Sequence, residues 1–262
     1  MQAFEYQKPT SVADAARAAA QEDARLLAGG QSLLPSMRLG LEAPSALIDI
    51  GGIAELKGIK RDGANLVIGA ATTHAEVAAS AEVLKAIPAL ADLAGHIGDR
   101  QVRNRGTIGG SLANNDPAAC YPAGVLGLGA TIHTDQREIA ADDFFLGIYT
   151  TALQAGEVIT AVSFPVPDKA AWQKFKQPAS RFSLVGVFVS KGPGGVRVAV
   201  TGAGAGVFRA KDLEDKLSAS WLAGTLDGVT VAAEGLNSDL HGSAEYRAAL
   251  IPVLAARAVA AT

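Results

Sequence analysis

The stretch Arg25-Leu26-Leu27-Ala28-Gly29-Gly30-Gln31-Ser32-Leu33-Leu34-Pro35 decides the fold. Its first four residues form a short run of buried-strand character, the glycine pair marks a sharp turn, and Ser32 to Leu39 reads as a helix. Ala46 to Ile50 follows as a second strand. Parallel strands need a crossover between them, and crossovers are almost always right-handed, so strand, helix and strand here make a βαβ unit. The Gly29-Gly30 turn is then expected at the carboxyl edge of a small parallel sheet, where ligands of α/β proteins gather.

Upstream, Ser11 with Asp14 resembles a capped helix start, and Val12, Ala15, Ala16 and Ala19 repeat at helical spacing up to Gln21. Downstream, two short strands from Gly58 to Ala70 flank Asp62-Gly63, a hairpin signal, and Thr73 to Leu93 reads as helical with a break at Pro88. After Gly106 the pattern gives a short strand, a glycine pair, polar loop residues, a helix around Ala123 to Leu128, and strands near Ala130 to Thr134 and Val158 to Phe164. A boundary is placed at residues 168–180, because the pattern then turns antiparallel: Leu184 to Lys191, a turn at Gly192 to Gly195, and Val196 to Thr201. Helices over Lys211 to Leu217, Leu222 to Ala233 and Ala244 to Ala260 are expected to pack on that sheet.

The chain has 262 residues, 49% hydrophobic and 19% charged, enough for one or two domains with a sizeable core and far from the disordered range. Twenty-three Lys and Arg against 26 Asp and Glu leave a net charge of -3, with no basic excess to neutralise a run of phosphates, so nucleic acid is not an expected partner. Cys120 is the sole cysteine, which excludes an internal disulfide and a thiolate-held iron–sulfur cluster within this chain. The first twenty residues lack the order of a secretory signal, and the uncharged stretch Pro117 to Thr134 is broken by prolines and glycines, so a cytoplasmic protein without a membrane span is expected.

Two segments carry the candidate chemistry. In the first, Leu27 to Pro35, side-chain-free glycines let a phosphate approach backbone N–H groups left free at a helix start. The same residues also suit an ordinary strand-to-helix turn. In the second, Arg103 to Pro117, Gly109 and Gly110 stand among Thr107, Ser111, Asn114, Asn115 and Asp116, a density of donors and acceptors suited to a polar ligand, or to an Asx turn ahead of Pro117. Arg100, Arg103 and Arg105 suit a solvated face, or a docking surface or phosphate neighbour, and the four histidines show no metal-binding spacing and read as surface residues of helix, loop or strand.

AGGQSLLP (28–35) followed by RGTIGGSLANNDPAACYPA (105–123) resembles the FAD-binding medium subunit of the molybdenum hydroxylases, the group of xanthine dehydrogenase and carbon monoxide dehydrogenase. The resemblance runs end to end, since FEYQKPTSVADA, LIDI, FFLGIYTTAL, GEVITAVSFPVP and KFKQPASRFSLVGV keep the family's order. It implies an α+β fold: a FAD-binding domain of two α/β subdomains of the PCMH type, residues 1–168 divided near 55, then a C-terminal antiparallel sheet packed with helices, residues 169–262. It also implies that Ala28, Gly29, Gly30, Gln31, Ser32 and Leu33 hold the pyrophosphate of a non-covalent FAD, with Thr107, Gly109, Gly110 and Ser111 closing on its other side. Ile97, Ile159, Lys176 and Phe182 match positions that pack near the adenine or the isoalloxazine. In some relatives an Asp stands where this chain has Cys120; a thiol replaces a carboxylate acceptor poorly, so that contact is expected to be lost or to shift to Asp116 or Asn114.

By the same resemblance this chain is the flavoprotein component of an oxidoreductase. A small partner subunit carries [2Fe–2S] clusters, a large one carries molybdopterin and hydroxylates the substrate, and a dimer of heterotrimers passes electrons through FAD to an external acceptor. A self-contained flavin oxidoreductase, or a cofactor-free scaffold that keeps the fold, are the alternatives. The first lacks an acid–base constellation, and the second is opposed by two intact glycine motifs.

Overall fold

The computed structural model describes residues 2–262. The chain opens with β1 (Glu5–Gln7), α1 (Val12–Ala19), β2 (Ala24–Leu27), α2 (Leu33–Arg38) and β3 (Ala46–Asp49). β3 lies between β1 and β2 and is parallel to both, so β2, α2 and β3 are the expected βαβ unit, with Gly29-Gly30 leaving the carboxyl end of β2. Ser11 caps α1 by accepting from the Asp14 amide, and Ala15 and Ala18 bury one helix face against Ile48 and Ile53. β1 had no strand signal of its own: three half-polar residues become a strand because β3 offers them a free edge.

A second sheet forms from β4 (Ile59–Asp62) and β5 (Asn65–Gly69), paired as the expected hairpin. The helices α3 (His74–Ala79), α4 (Ala81–Ala86), α5 (Pro88–Gly95), α6 (Arg100–Arg105), α7 (Ile108–Asn114) and α8 (Tyr121–Gly127) come next. Pro88 does start a new helix, but Ser80 breaks the segment as well, ending α3 and capping α4. The strand and polar loop expected after Gly106 are instead α7. Thr107 caps it by accepting from the Gly110 amide, and Gly109 lies against Ala70, where a larger residue would not fit, with Gly110 beside Ala28.

β6 (Thr131–Thr134), β7 (Glu138–Ala140), α9 (Ala141–Phe144), the two-stranded β8 (Phe145–Gly147) and β9 (Thr150–Thr151), and β10 (Ile159–Pro165) complete this region. The five-stranded order β4-β5-β10-β6-β7 is antiparallel throughout. Its apolar face, with Leu66, Ile68 and Phe164, packs against Val77, Leu90, Leu93, Ile108 and Leu112 of the helices.

The third sheet has the order β11 (Lys169–Lys176), β12 (Ser183–Gly192), β13 (Gly195–Thr201), β14 (Phe208–Arg209). Residues 169–176, read from sequence as part of a boundary, are thus its edge strand, with Trp172 opposite Phe188. β12 is buried on both faces. Phe188 and Trp172 join the helical core, whereas Val185, Val187 and Val189 meet α10 (Lys211–Ala219) and α11 (Ala244–Ala260). The helix expected over 222–233 is only a short 3-10 turn at Ala223–Leu226; Gly224, Gly228 and the β-branched run Val229-Thr230-Val231 disfavour continuation. Among the described residues no helix is long and apolar enough to cross a membrane.

Candidate functional site

The two glycine segments meet. A Cβ on Gly29 would stand 2.0 Å from the Arg105 carbonyl oxygen and 2.7 Å from Gly106 Cα, so the loop after β2 lies directly on the end of α6. A Cβ on Gly110 would stand 3.7 Å from Ala28 Cβ, which places the first turn of α7 beside the same loop. On its inner side a Cβ on Gly109 would stand 2.6 Å from Ala70 Cβ, and the Gly109 amide donates to Ala70 O at 2.8 Å. Glycine is therefore required by close approach at Gly29 and at Gly109, on two sides of one junction.

The junction is well supplied with free donors. Gly30 sits at φ +70°, a left-handed conformation that opens the turn, and Gln31 folds back so that its Nε2 donates to Gly29 O at 3.0 Å. Among the described residues the amide N–H groups from Gly29 to Leu33 have no protein acceptor, and the side chains of Ser32, Ser111 and Asn114 make no hydrogen bond. The second motif is different: the amides of Ile108, Gly109 and Gly110 are spent on Thr72 O, Ala70 O and Thr107 Oγ1. Its contribution is shape and side-chain hydroxyl and amide groups, while the first motif offers bare backbone. Glycine-lined backbone with several unpaired N–H groups suits a diphosphate, so the residues present fit FAD at its pyrophosphate.

The edges of the site are set by longer-range contacts. Asn115, at φ +43° and 1% exposed, donates through Nδ2 to both Gly147 O and Thr150 O at 2.8 Å, pinning the β8–β9 hairpin to the end of α7. Asp116 does form the Asx turn, accepting from the Ala118 amide at 2.8 Å, while its other oxygen accepts from the Tyr149 hydroxyl at 3.3 Å. Burial, and then the Asp116 carboxylate, push the Tyr149 phenol up. Cys120 is buried at the start of α8, with Lys174 Nζ 3.3 Å and Ser183 Oγ 3.7 Å from its sulfur. Lys174 Nζ also donates to His96 O at 3.1 Å, and Arg103 Nη1 donates to Ile97 O at 3.0 Å, so Ile97 and Cys120 share one border of the site.

Lys176 and Phe182, both exposed, flank the turn between β11 and β12 just beyond this border. Ile159 is not brought to the glycine loops: it is buried in the main core at the start of β10. Sequence reasoning passed over Lys174 and the Asn115 clasp, and it reads His74 as a surface residue, whereas the fold buries it. The Asn-Asn pair was a visible signal for the clasp, but nothing local marks His74 or Lys174. His74 lies behind Gly106, its ring against Tyr121 with centroids 5.3 Å apart, and its Nδ1 has no partner. Burial, aided by the nearby Arg103 cation, lowers its pKa to about 4. His96 and His133 face Asp92 and Glu138, and among the described residues no cluster could hold a metal ion.

Residues 2–167 match the family described as the FAD binding domain in molybdopterin dehydrogenase. The chain is 37% identical to the nicotine 6-hydroxylase medium subunit of Paenarthrobacter nicotinovorans, over 98% of this chain and 96% of the relative. It is 35% identical to the carbon monoxide dehydrogenase medium chain of Hydrogenophaga pseudoflava, again over 98% and 96%. Among solved structures, reconstituted CO dehydrogenase from Oligotropha carboxidovorans superposes with a TM-score of 0.91 at 33% identity, covering 99% of this chain and 97% of that one.

Proposed function

This chain belongs to the FAD-binding family of the molybdopterin dehydrogenases, as a medium subunit of oxidoreductase type, and from that premise we propose that it is the electron exit of a three-subunit hydroxylase. In this reading a partner subunit with [2Fe–2S] clusters delivers electrons, and FAD on this chain hands them to an external acceptor. The substrate is hydroxylated at a molybdopterin site on a large subunit. The assembly is a dimer of such heterotrimers in the cytoplasm. Residues 1–168 bind FAD, in two parts divided near residue 55, and residues 169–262 form the second domain.

The observation that carries the proposal is the junction of Gly29 with Arg105 and Gly106, which sets the unpaired amides of residues 29–33 beside Gly110 and Ser111. Those amides hold the pyrophosphate of a non-covalently bound FAD, and Ser32, Ser111 and Asn114 offer hydroxyl and amide contacts to the rest. Bound there, FAD supplies the exchange between paired and single electrons that no side chain of this protein can perform. The chain's own task is to bind, orient and shield it. Cys120 cannot accept strongly, so Asp116 and Asn114 serve the ribityl hydroxyls, while Ile97, Lys176 and Phe182 border the rings; Ile159, buried in the core at the start of β10, takes no part in the contact.

The test is the visible spectrum of the complex purified with its co-expressed partners, together with identification of the chromophore released by acid. Released FAD with co-purifying iron and molybdenum supports the proposal. A colourless complex that takes up no added FAD favours a scaffold subunit, the reading to which the Cys120–Lys174 contact, standing where some relatives have an acid, lends its one observation.

A further inference from the structure

Charge is distributed unevenly along this acidic chain. Residues 169 to 211 carry eight Lys and Arg and not one Asp or Glu. Arg197, Arg209 and Lys211 are paired with Asp142 or Glu214. Lys169 and Lys191 face each other at the far end of the β11–β12 hairpin. At its near end stand Lys176 and Arg181, and among the described residues neither has a carboxylate within salt-bridge distance. The nearby Asp239 is already engaged, accepting twice from Arg247 Nη2.

The turn that carries these cations is well organised. Gln177 N donates to Phe182 O, Arg181 N donates to Gln177 O, and Ser180 N donates to Gln177 Oε1. Gln177 Nε2 also lies 3.2 Å from His241 Nδ1. Arg181 is held at φ +63°, and Phe182 is left 51% exposed beside it. One residue further, Ser183 lies against Cys120, so this apolar, cationic turn stands at the border of the proposed flavin site.

We infer that the 176–182 turn is the docking surface for the electron acceptor, and that the acceptor is an acidic carrier protein. The inference rests on the exit-port reading above and names the class of its acceptor. The turn is exposed from Pro178 to Phe182, with its cations and its aromatic side by side at the surface. An exposed aromatic beside an arginine, as Phe182 stands beside Arg181, is the combination in which protein interfaces are enriched. Unpaired cations around it raise the encounter rate with a negatively charged partner in a salt-dependent way. In each encounter one electron leaves the reduced complex and one carrier is reduced, so two carriers are consumed per electron pair, and no bond is made or broken.

The test uses the whole complex reduced with stoichiometric dithionite, and two forms of one carrier: native cytochrome c, which is basic, and succinylated cytochrome c, which is acidic. Haem reduction is followed at several ionic strengths, and binding of the oxidised carriers to the oxidised complex is followed by sedimentation. The acidic form is expected to react at least tenfold faster at low salt, to lose that advantage at high salt, and to be the form that binds. Ala179→Glu/Arg181→Glu, which alters exposed positions of the turn, is expected to lower its rate at least tenfold and to reverse the salt dependence. Flavin content, read from the spectrum of each sample, separates failure of docking from failure of the flavin reading. Faster reaction with the basic form, rates independent of salt, or an unaltered double variant with full flavin would overturn the inference.

Discussion

Gly29 and Arg105 touch backbone to backbone: a Cβ on the first would lie 2.0 Å from the carbonyl oxygen of the second. Residues 76 positions apart thereby lock the loop after β2 onto the end of α6, and neither can move to spare the other without opening the junction. The requirement for glycine at 29 is one of packing, since its φ lies outside the left-handed range, whereas at Gly30 it is one of conformation.

Gly29→Ala is therefore expected to force the β2 loop off α6, costing about 1–3 kcal/mol as overpacking does, because no side-chain rotation relieves a clash with backbone. The urea midpoint should fall, and titration with FAD should show affinity reduced by at least tenfold. A variant with wild-type stability and affinity would mean that the contact does not exist.

Gly30→Val addresses the other requirement. A β-branched residue at φ +70° is strained, and its Cβ would stand 2.8 Å from Leu34 Cδ1 and alongside the free amides. Flavin retention should be lost even in the fraction that folds, as judged by circular dichroism. A folded Gly30→Val complex with full flavin occupancy would remove the pyrophosphate from this loop.

Asn115 couples the site to the β8–β9 hairpin through two hydrogen bonds from one amide group. Asn115→Ala leaves the Gly147 and Thr150 carbonyls without that donor and puts a less tolerant residue in the left-handed region, a loss of about 2–4 kcal/mol. Asn115→Gly relieves the backbone but not the carbonyls, so it should recover only part of the loss. Urea denaturation of both variants checks the order, and amide exchange should show the hairpin opening first.

What the sequence revealed of this architecture was what local chemistry determines. Gly29-Gly30 after Leu26-Leu27-Ala28, Asp62-Gly63 between short strands, and Ser11 three residues before Asp14 each act on immediate neighbours, and each element stands where its signal lies. α7 was read as strand and loop because Gly109-Gly110 and Asn114-Asn115 carry turn signals. Its helical state is enforced from outside, by Ala70 and Ala28 packing on the glycines and by the Thr107 cap. β11 was obscured because Lys169 to Lys176, KAAWQKFK, does not alternate polar and apolar residues; its strand state comes from pairing with β12, where Gly186 leaves room for Trp172. The candidate site divides in the same way. Both glycine motifs were visible in one dimension, while His74 behind Gly106 and Lys174 beside Cys120 exist only as contacts between distant segments.

His74 predicts one limb of the acid profile. The folded chain keeps it neutral down to about pH 4, while in the unfolded chain it titrates near 6.5. Between those values the unfolded state binds the extra proton, so stability is fully present above about pH 6.5 and declines as pH falls towards 4. His74→Gln, which cannot titrate, should flatten urea midpoints across that window. An unchanged slope would show that the imidazole is not shielded by Gly106 and Tyr121.

Glu157 predicts the lower limb. Its side chain is buried and accepts from Arg137 Nε at 2.9 Å and Nη2 at 3.0 Å, from the Gln154 amide at 2.7 Å and from the Thr134 hydroxyl at 2.8 Å. The Arg137 hydrogen bonds lead in holding its pKa down at about 2, against burial, which acts the other way. A carboxylate so depressed contributes stability that is present above its ordinary value of about 4.3 and is lost as pH falls from there towards 2. Arg137→Met removes the leading partner, so about 1–3 kcal/mol should be lost at pH 7 from charged hydrogen bonds left unmade, and the decline of thermal midpoint between pH 4.3 and 2 should become shallower as the folded-state pKa returns towards the unfolded one. Glu157→Gln should instead show no pH-dependent loss between pH 4.3 and 2 beyond that of the other carboxylates. If Arg137→Met melts like the parent chain at every pH, the β6–β7 turn is not held to residues 154–157 by this pair.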